Sequence, residues 1–298
     1  MNKKKKMTHT ELLQKLVSAG MKMRYGDNLK SVKIRPSVTR CSMIPVKMLW
    51  EMKQIIDAGF VDYYLMAFWI FHHYAKSADI GFWARGAMPS SIVCYCLGLT
   101  EVDPIKYGLH SARFVNEDLP KFQFDIEASR IDEFKKEAEA LLQANAGDYD
   151  IAAIRKCLFQ DLCPSTYLSN KHERPLPENL DDELARYALY FPQTMDLYEA
   201  YIQKPSTFDR LIFQEQMMDL LRETFHVSGI KANQIRLAIQ RSETEKVKIH
   251  KKELFANLND ITIEEAETAW QHLTSNPRAF LKAHAVSRVI AKYKFEIK

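Results

Sequence analysis

One short segment, residues 121–127, carries the side chains whose type and spacing could support chemistry. It alternates strictly between apolar and polar residues, which is the pattern of a β-strand with one buried face. The apolar positions are Phe122, Phe124 and Ile126, and the polar positions are Lys121, Gln123, Asp125 and Glu127. Asp125 and Glu127 are two residues apart, so both carboxylates point to the same side of the strand. Because paired carboxylates can hold Mg²⁺, this strand is the first candidate for a reactive site.

Length and composition limit the class of protein that must position this strand. The 298 residues are 47% hydrophobic and 27% charged, which is typical of a globular protein with one large domain or two modest ones. No apolar run approaches the about 20 residues that cross a bilayer, and no apolar stretch follows the first lysines as in a signal peptide. The five cysteines are irregularly spaced and form neither a zinc pattern nor a disulfide framework, which favours a cytoplasmic protein.

Hydrophobic periodicity places several elements around the strand. Residues 48–58 predict a helix that ends in a left-handed cap at Gly59, and residues 28–45 are basic and loop-like. Residues 91–97 predict a short apolar helix closed by Gly98. A further helix is predicted over residues 131–142, with Gly147 closing it. From about residue 156 onward the pattern is almost wholly helical, interrupted by prolines.

A series of short motifs resembles a known family when the motifs are taken in chain order. They are Arg24-Tyr25-Gly26-Asp27, Gly59-Phe60, Ala84-Arg85-Gly86-Ala87, Leu97-Gly98-Leu99-Thr100, Phe213-Gln214-Glu215-Gln216 and Phe280-Leu281-Lys282-Ala283-His284. This order resembles the palm and fingers of the bacterial C-family replicative polymerases, the DNA polymerase III alpha subunit family. Each motif is weak alone, and their shared order and spacing make the resemblance specific.

The resemblance implies an α+β fold, with a polymerase palm-like mixed sheet, flanking helices and a mostly helical fingers-like extension. It divides the chain into a basic N-terminal tail with leading helices at 1–58, a palm-like domain at 59–155 and a helical fingers-like region at 156–298. In the fingers, the family's Arg-Pro-Gly-Pro is replaced by Phe191-Pro192-Gln193-Thr194, which removes an arginine.

The resemblance also implies a nucleotide-binding loop. Arg85, Gly86 and Ser91 match the family's glycine-serine loop, which holds the incoming triphosphate. The departures from that loop are Ala84, Ala87, Pro89 and Ser90. A phosphate cradle needs close backbone amides and donor side chains, so these departures weaken the expected nucleotide binding.

The acidic motif departs further from the family's Pro-Asp-x-Asp-x-Asp, and two registers are open. If Pro120 is the family's proline, Lys121 and Gln123 replace the first two aspartates and only Asp125 remains. The nearby lysine would then satisfy Asp125 in a salt bridge. In a shifted register, Asp125 and Glu127 become the catalytic pair. In either register the third catalytic aspartate is expected on a strand at 148–154, as Asp150, with Asp125 and Asp150 as metal ligands.

Nucleic-acid contacts are expected from two sets of residues. Gln214, Arg236, Lys282 and His284 match motifs of the family's fingers. Arg278, Lys282 and Lys292 lie within about 80° of one another on a helical wheel, as a stripe that faces nucleic acid would. The last helix is predicted to start at Asn276, with Pro277 in its first turn. A solvated helix face and a packed histidine are the simpler interpretations of this basic stretch.

Three hypotheses of function follow from the resemblance. The first is a DNA polymerase III alpha-like replication protein that binds primer-template DNA and could bind a nucleotide. Its catalysis is impaired because Lys121 and Gln123 replace two aspartates of the palm. The second is an active minimal DNA-directed DNA polymerase that uses Asp125, Glu127 and Asp150 with Mg²⁺; without activity no cofactor is expected. The third is a non-catalytic scaffold that docks onto other replication proteins. None of the three involves a membrane.

Overall fold

The computed structural model describes residues 7–26, 33–35, 38–39, 43–116, 119–145, 149–170, 174–190, 194–203 and 211–295. The chain divides into two compact units. Unit 1 comprises Met1–Arg174 and Ile290–Lys298, and unit 2 comprises Pro175–Val289. The altered fingers motif at 191–193 and the expected helix closure at Gly147 lie outside the described residues. The domain boundaries expected from the sequence stay a prediction.

Unit 1 is built mainly of helices that pack on one face of a small sheet. The helices are α1 His9–Tyr25, α2 Met43–Asp57, α3 Val61–Ala67, a π-helical continuation Phe68–Ala75, α4 Ile92–Cys96, α5 Ile131–Ala144 and α6 Ile151–Phe159. A capping box of Thr8 and Glu11 starts α1. Gly59 has φ +72°, which confirms the left-handed cap after α2. The helix at 91–97 is confirmed as α4, with Gly98 at φ +68° after it.

The sheet of unit 1 has three strands and mixed direction. Its strands are β3 Phe82–Ala84, β4 Gln123–Glu127 and β5 Asp161–Ser165, after a short antiparallel pair β1 Lys33–Arg35 and β2 Val38–Thr39. β4 is central; it pairs antiparallel with β3 and parallel with β5. Short 3₁₀ segments lie at Met88–Ser90, Ser111–Arg113, Ala128–Arg130 and Thr166–Ser169. This mixed sheet among helices confirms the α+β fold class.

The apolar face of β4 forms the centre of the core, as its alternation predicted. Phe122, Phe124 and Ile126 are fully buried. The ring of Phe124 stacks on Phe71 of the π-helical segment with 3.7 Å between ring centroids. Because this face is buried under helices, the polar side chains of β4 must point to the other side of the sheet.

Three local predictions are wrong. The expected strand at 148–154 is instead the start of α6, because the side chain of Asp150 accepts a hydrogen bond from the Ala153 amide and caps the helix. The third strand is β5, inside the stretch that was interpreted as almost wholly helical. The start of α2 also extends into the expected loop, so that Pro45 lies in its first turn.

Unit 2 is helical, which agrees with the predicted helical extension. Its helices are α7 Leu180–Leu189, α8 Met195–Gln203, α9 Gln214–Phe225, α10 Gly229–Gln240, α11 Thr244–Phe255, α12 Ile263–Ser275 and the first part of α13 Lys282–Lys294. An isolated parallel bridge joins Phe213 and Phe280. Across the described residues of both units, no helix is long and apolar enough to pass through a membrane.

The last helix starts later than predicted. Asn276 is not an N-cap; it follows α12, and its side-chain oxygen accepts a hydrogen bond from the Arg278 amide in a tight turn. The α13 helix begins at Lys282, where the carboxylate of Glu215 accepts hydrogen bonds from the Lys282 and Ala283 amides at 2.9 and 3.1 Å. The cap therefore comes from a distant part of the chain, which local sequence could not reveal.

Candidate active site and nucleic-acid contacts

Asp125 lies at the centre of the sheet and is enclosed by protein groups. Its side chain is 1% exposed, and its Oδ1 atom lies 3.2 Å from Nε of Arg85. The hydroxyl of Tyr167 donates a hydrogen bond to the other carboxylate oxygen, Oδ2. Asp125, which both sequence registers retain, is therefore held in a buried ion pair.

Arg85 also contacts two residues of β5. Its Nη2 atom lies 2.9 Å from the carbonyl oxygen of Asp161 and 2.9 Å from Sγ of Cys163. Lys121, which was expected to pair with Asp125, is exposed. The sequence thus predicted the ion pair with the wrong cation, because Arg85 reaches Asp125 only through the pairing of β3 with β4.

Aromatic rings lie on the same side of the sheet as Asp125. Trp83 is the cross-strand neighbour of Asp125 in the antiparallel pair and is buried. Phe295 contacts both Trp83 and Tyr167, with ring centroids 5.5 and 5.7 Å apart. These rings cover the polar side of β4, which accounts for the burial of Asp125.

The other two predicted catalytic acids have separate surroundings. Glu127 accepts a hydrogen bond from the Ser129 hydroxyl at 2.7 Å and one from the Gly81 amide at 3.3 Å. Asp150 is exposed at the start of α6. Within the described ranges no group of three or more His, Cys, Asp or Glu side chains could hold a metal ion. Asp125, Glu127 and Asp150 therefore do not converge on one cation position in this conformation.

Gly86 is a glycine for a geometric reason. Its φ angle is +65°, and a Cβ atom added there would lie 1.7 Å from Oε1 of Gln123. The Gln123 amide therefore lies directly against the backbone of the loop. Any larger residue at position 86 would displace it.

Ser91 caps α4 and is buried beside a carboxylate that the sequence analysis missed. Its hydroxyl donates to Glu51 at 2.7 Å and accepts from the Cys94 amide at 3.1 Å. Glu51, on α2, is fully buried and also accepts the amides of Ile92 and Val93 at 3.0 and 3.1 Å. An anion placed at a helix N-terminus is stabilised by the helix dipole. Glu51 could have been found from the sequence, because it is an acidic residue on the apolar face of α2, four residues before Ile55.

For the predicted nucleotide-binding residues, these contacts have a direct consequence. In this conformation the Arg85 guanidinium contacts Asp125 and β5, and the Ser91 hydroxyl is bonded to Glu51. The side chain of Gln123 lies against the backbone of Gly86. Binding of a nucleotide by Arg85, Gly86 and Ser91 stays a prediction.

The Arg24-Tyr25 motif in unit 1 contacts the residues that directly follow the Leu97–Thr100 motif. Arg24 forms a bidentate pair with Glu101 at 3.0 Å on both arms, and the Tyr25 hydroxyl donates to Asp103 at 2.8 Å. Burial, with the nearby charge of Asp103, raises the pKa of Tyr25 far above its ordinary value. These pairs fix the end of α1 against the segment that follows α4.

In unit 2, Gln214 and Arg236 are buried and bind each other. The Arg236 side chain is 1% exposed; its Nη1 atom donates to Oε1 of Gln214 at 3.1 Å, and its other nitrogens donate to Asn233. The Gln214 amide nitrogen in turn donates to the carbonyl oxygen of Ala279 at 2.9 Å. Together they join α9 and α10 to the turn before α13, and their predicted contact with nucleic acid stays a prediction.

The remaining predicted nucleic-acid contacts lie in and before α13. Arg278 is exposed in the turn, and Lys282 is the first residue of the helix. His284 lies near the rings of Tyr187 and Phe280, at 6.5 and 5.8 Å between centroids. Lys292 is exposed on the part of the helix that belongs to unit 1.

Comparison with known proteins agrees with the motif order. A family model described as the bacterial DNA polymerase III alpha NTPase domain matches residues 11–153. These residues are similar to that domain of the DNA polymerase III alpha family. The matched segment runs from the first turn of α1 to the first turn of α6 and includes the Arg85–Asp125 pair, so the resemblance deduced from the sequence is confirmed there.

Curated relatives match part of this chain at moderate identity. DNA polymerase III subunit alpha of Borreliella burgdorferi is 34% identical over 119 residues, 39% of this chain and 9% of the relative. The protein of the same description from Yersinia pestis is 31% identical over 121 residues, 40% of this chain and 10% of the relative. That of Staphylococcus aureus is 38% identical over 88 residues, 28% of this chain and 8% of the relative. The matched segment therefore spans about a tenth of the length of the curated relatives.

Proposed function

We propose that this chain is a DNA-binding protein of bacterial replication, acting in the cytoplasm, in which a polymerase palm has lost metal-dependent nucleotide transfer. The observation that carries the proposal is the enclosed Asp125. A catalytic Mg²⁺ needs carboxylate oxygens that are open to the substrate. Here the carboxylate is paired with Arg85 and Tyr167, and Lys121 and Gln123 stand at the other two acidic positions.

Electrostatics supports the loss of catalysis. A cation that entered beside Asp125 would meet the guanidinium of Arg85 at the same oxygen, and breaking a buried ion pair typically costs about 3–5 kcal/mol. A magnesium ion would have to offset this cost with few replacement ligands, because Lys121 and Gln123 cannot supply carboxylates. We therefore expect no magnesium-dependent activity and no requirement for a metal cofactor.

Support for DNA as the partner comes from the family and from the basic side chains near α13. The curated relatives are described as subunits of a DNA polymerase. Arg278, Lys282 and Lys292 are cations that could contact phosphates, with His284 beside them. Gln214 and Arg236 would contribute indirectly, by fixing the turn that carries Arg278.

Fluorescence anisotropy of a labelled primer-template DNA tests the binding. We expect affinity that falls steeply with salt, and a smaller salt slope in a variant with Arg278→Ala and Lys282→Ala, since each lost phosphate contact reduces the slope by about 1. A matched control is Lys246→Ala with Lys248→Ala on α11, where both lysines pair with neighbouring glutamates.

The outcomes separate the three hypotheses. Salt-dependent binding that only the α13 variant weakens supports the proposal. Absence of binding at low salt would contradict it and leave a scaffold that docks onto replication proteins. Template-directed nucleotide incorporation that needs Asp125 would instead establish the active polymerase with Asp125, Glu127 and Asp150.

A further inference from the structure

Unit 1 contains an open cleft of about 820 Å³ beside β3, separate from the enclosed Asp125. Its volume lies in the range of small-molecule sites. Its lining includes Lys76, Phe82, Trp83, Leu168 and Lys294. Apolar and charged side chains thus share the walls, which suits a ligand with one polar end.

One end of the cleft is rich in positive charge. Arg24, Lys76 and Lys294 surround the single carboxylate of Glu101. Burial would raise the pKa of Glu101, but the hydrogen bonds and charge of Arg24, with the charges of Lys294 and Lys76, lower it. Since Arg24 already neutralises Glu101 in a bidentate pair, Glu101 does not compensate the charges of the two lysines.

Neither lysine is satisfied by an ion pair within the part of the chain that the structure describes. The Lys294 ammonium lies 5.6 Å from the centre of the Trp83 ring, a cation–π contact that leaves its hydrogen bonds for a ligand. Lys76 is exposed at the mouth of the cleft, and burial of its stem together with the charge of Arg24 lowers its pKa even though Glu101 raises it.

A backbone amide also borders the cleft. β3 is an edge strand, paired only with β4. Glu127 donates its amide to Gly81, and Arg85 donates its amide to Gln123. Because bonded and non-bonded pairs alternate in an antiparallel ladder, the N–H and C=O of Phe82 point away from β4 to the free edge. An anion in the cleft can therefore meet a neutral donor besides the two ammonium groups.

Acidic residues in the lining limit how much negative charge the cleft can accept. Glu127 and Arg130 also line it, and Arg130 is already paired with Glu133 at 2.6 Å. Glu127 therefore contributes a negative charge, and Asp79 adds a further exposed carboxylate. A polyphosphate or a nucleic-acid backbone would be repelled by these carboxylates, whereas a single phosphate group beside Lys76 and Lys294 would not.

We propose that this cleft binds a small organic phosphate, with Lys76 and Lys294 contacting the phosphate and Trp83 and Leu168 contacting the organic part. A phosphate monoester carries nearly two negative charges at neutral pH, which matches the two unpaired lysines. A simple carboxylate carries only one charge and would leave one lysine uncompensated. The inference does not rest on the DNA-binding function proposed above.

Isothermal titration with phenyl phosphate tests the inference on the full chain. We expect saturable binding with one site, about tenfold weaker in Lys76→Gln and again in Lys294→Gln, since each change removes charged hydrogen bonds. Lys53→Gln, which changes a lysine of α2 paired with Asp57, is the matched control and should bind as tightly as the unchanged chain. Phenol, which lacks the phosphate, should not bind.

Two further measurements distinguish this cleft from a nucleotide or DNA site. Triphosphate should bind more weakly than phenyl phosphate, and primer-template DNA should not compete with phenyl phosphate. Equal affinity in the unchanged chain and in both lysine variants would overturn the proposal, as would absence of saturation at millimolar phenyl phosphate. The thermal unfolding midpoints of both variants should match that of the unchanged chain, because neither lysine is buried. If Lys294→Gln proves unstable, Lys76→Gln still decides the test, because Lys76 is exposed.

Discussion

The two units each contain an arginine that the sequence analysis assigned to a polymerase motif, and the two arginines have different partners. In unit 1, Arg85 meets the carboxylate of Asp125 across a β-sheet pair. In unit 2, Arg236 donates to the side-chain oxygens of Gln214, Asn233 and Gln240. Both guanidinium groups are largely or fully enclosed. The difference shows that a retained motif arginine can serve the fold through charge neutralisation or through hydrogen bonds to amides.

A second parallel concerns buried carboxylates. Glu51 caps α4 in unit 1, and Glu215 caps α13 in unit 2, each from a helix far away in the sequence. Glu51 accepts three hydrogen bonds, including that of Ser91, and Glu215 accepts two from backbone amides. Motif residues in both units therefore stabilise helix ends, and their presence alone does not indicate ligand binding.

The largest expected effect is that of Arg85→Met. Removal of the cation leaves the Asp125 carboxylate buried without its cationic partner, which should lower the free energy of unfolding by about 3–5 kcal/mol in urea denaturation. The double variant Arg85→Met with Asp125→Asn should recover much of this loss, because the remaining asparagine is neutral and can still accept from Tyr167. A double variant no more stable than Arg85→Met would show that the pair is not coupled.

Arg236→Met should have the next largest effect. It removes the arginine donor from the buried amide oxygens of Gln214 and Asn233 and from the amide oxygen of Gln240, which is exposed. At about 1 kcal/mol for each buried oxygen and less for the exposed one, we expect a loss of about 2–3 kcal/mol. The matched control is Arg222→Met on α9, an exposed arginine whose nearest carboxylate, on Asp219, is 3.9 Å away; it should change stability by less than about 0.5 kcal/mol. Equal effects of the two changes would contradict the structural role of Arg236.

Substitution of the two capping glutamates sharpens the comparison between the units. Glu51→Gln should cost about 2 kcal/mol, because one amide group cannot replace a charged acceptor of three hydrogen bonds. Glu215→Gln should cost less, since two bonds are affected. Glu265→Gln, at the exposed capping box of α12, should cost the least of the three. The order of the three unfolding free energies is the quantity to measure, and the reverse order of the first two would contradict this account.

The smallest effect concerns acid stability. The hydrogen bonds from Arg155 and then Gln143 lower the pKa of Glu139 to about 2 from 4.5. Because the folded pKa is the lower one, this stabilisation is present above pH 4.5 and is lost as pH falls from 4.5 through about 2. The side chain is nearly exposed, so solvent screening keeps the effect small.

Unfolding free energies of Glu139→Gln and of the unchanged chain, measured from pH 6 to pH 2, should therefore converge only at the acid end. A constant difference over that range would show that Glu139 acts through packing rather than charge. The same pH series on Glu133→Gln is a useful comparison. Glu133 pairs with Arg130, three residues earlier in the chain, whereas Glu139 pairs with Arg155 and so joins α5 to α6.

The sequence predicted those features that depend on short-range pattern. The alternation at 121–127, the helix closed by Gly98 and the cap at Gly59 follow from local geometry and were confirmed. The polymerase motif order predicted the family over residues 11–153.

The remaining features depend on contacts between distant segments. The cation at Asp125 was assigned to Lys121, since no local pattern shows that the pairing of β3 with β4 brings Arg85 within reach of Asp125. The start of α13 was misplaced because its cap is Glu215, and the Asp150 segment was taken for a strand although its aspartate favours a helix start.

Magnesium-dependent primer extension on a primed template, run with the unchanged chain and with Asp125→Asn, tests the central claim most directly. The claim is that Asp125 serves an internal ion pair and not a metal ion. We predict no template-directed product from either protein in Mg²⁺, with both proteins folded at the assay temperature. Product formed by the unchanged chain and abolished in Asp125→Asn would contradict the claim and show that Asp125 is released from Arg85 to bind metal.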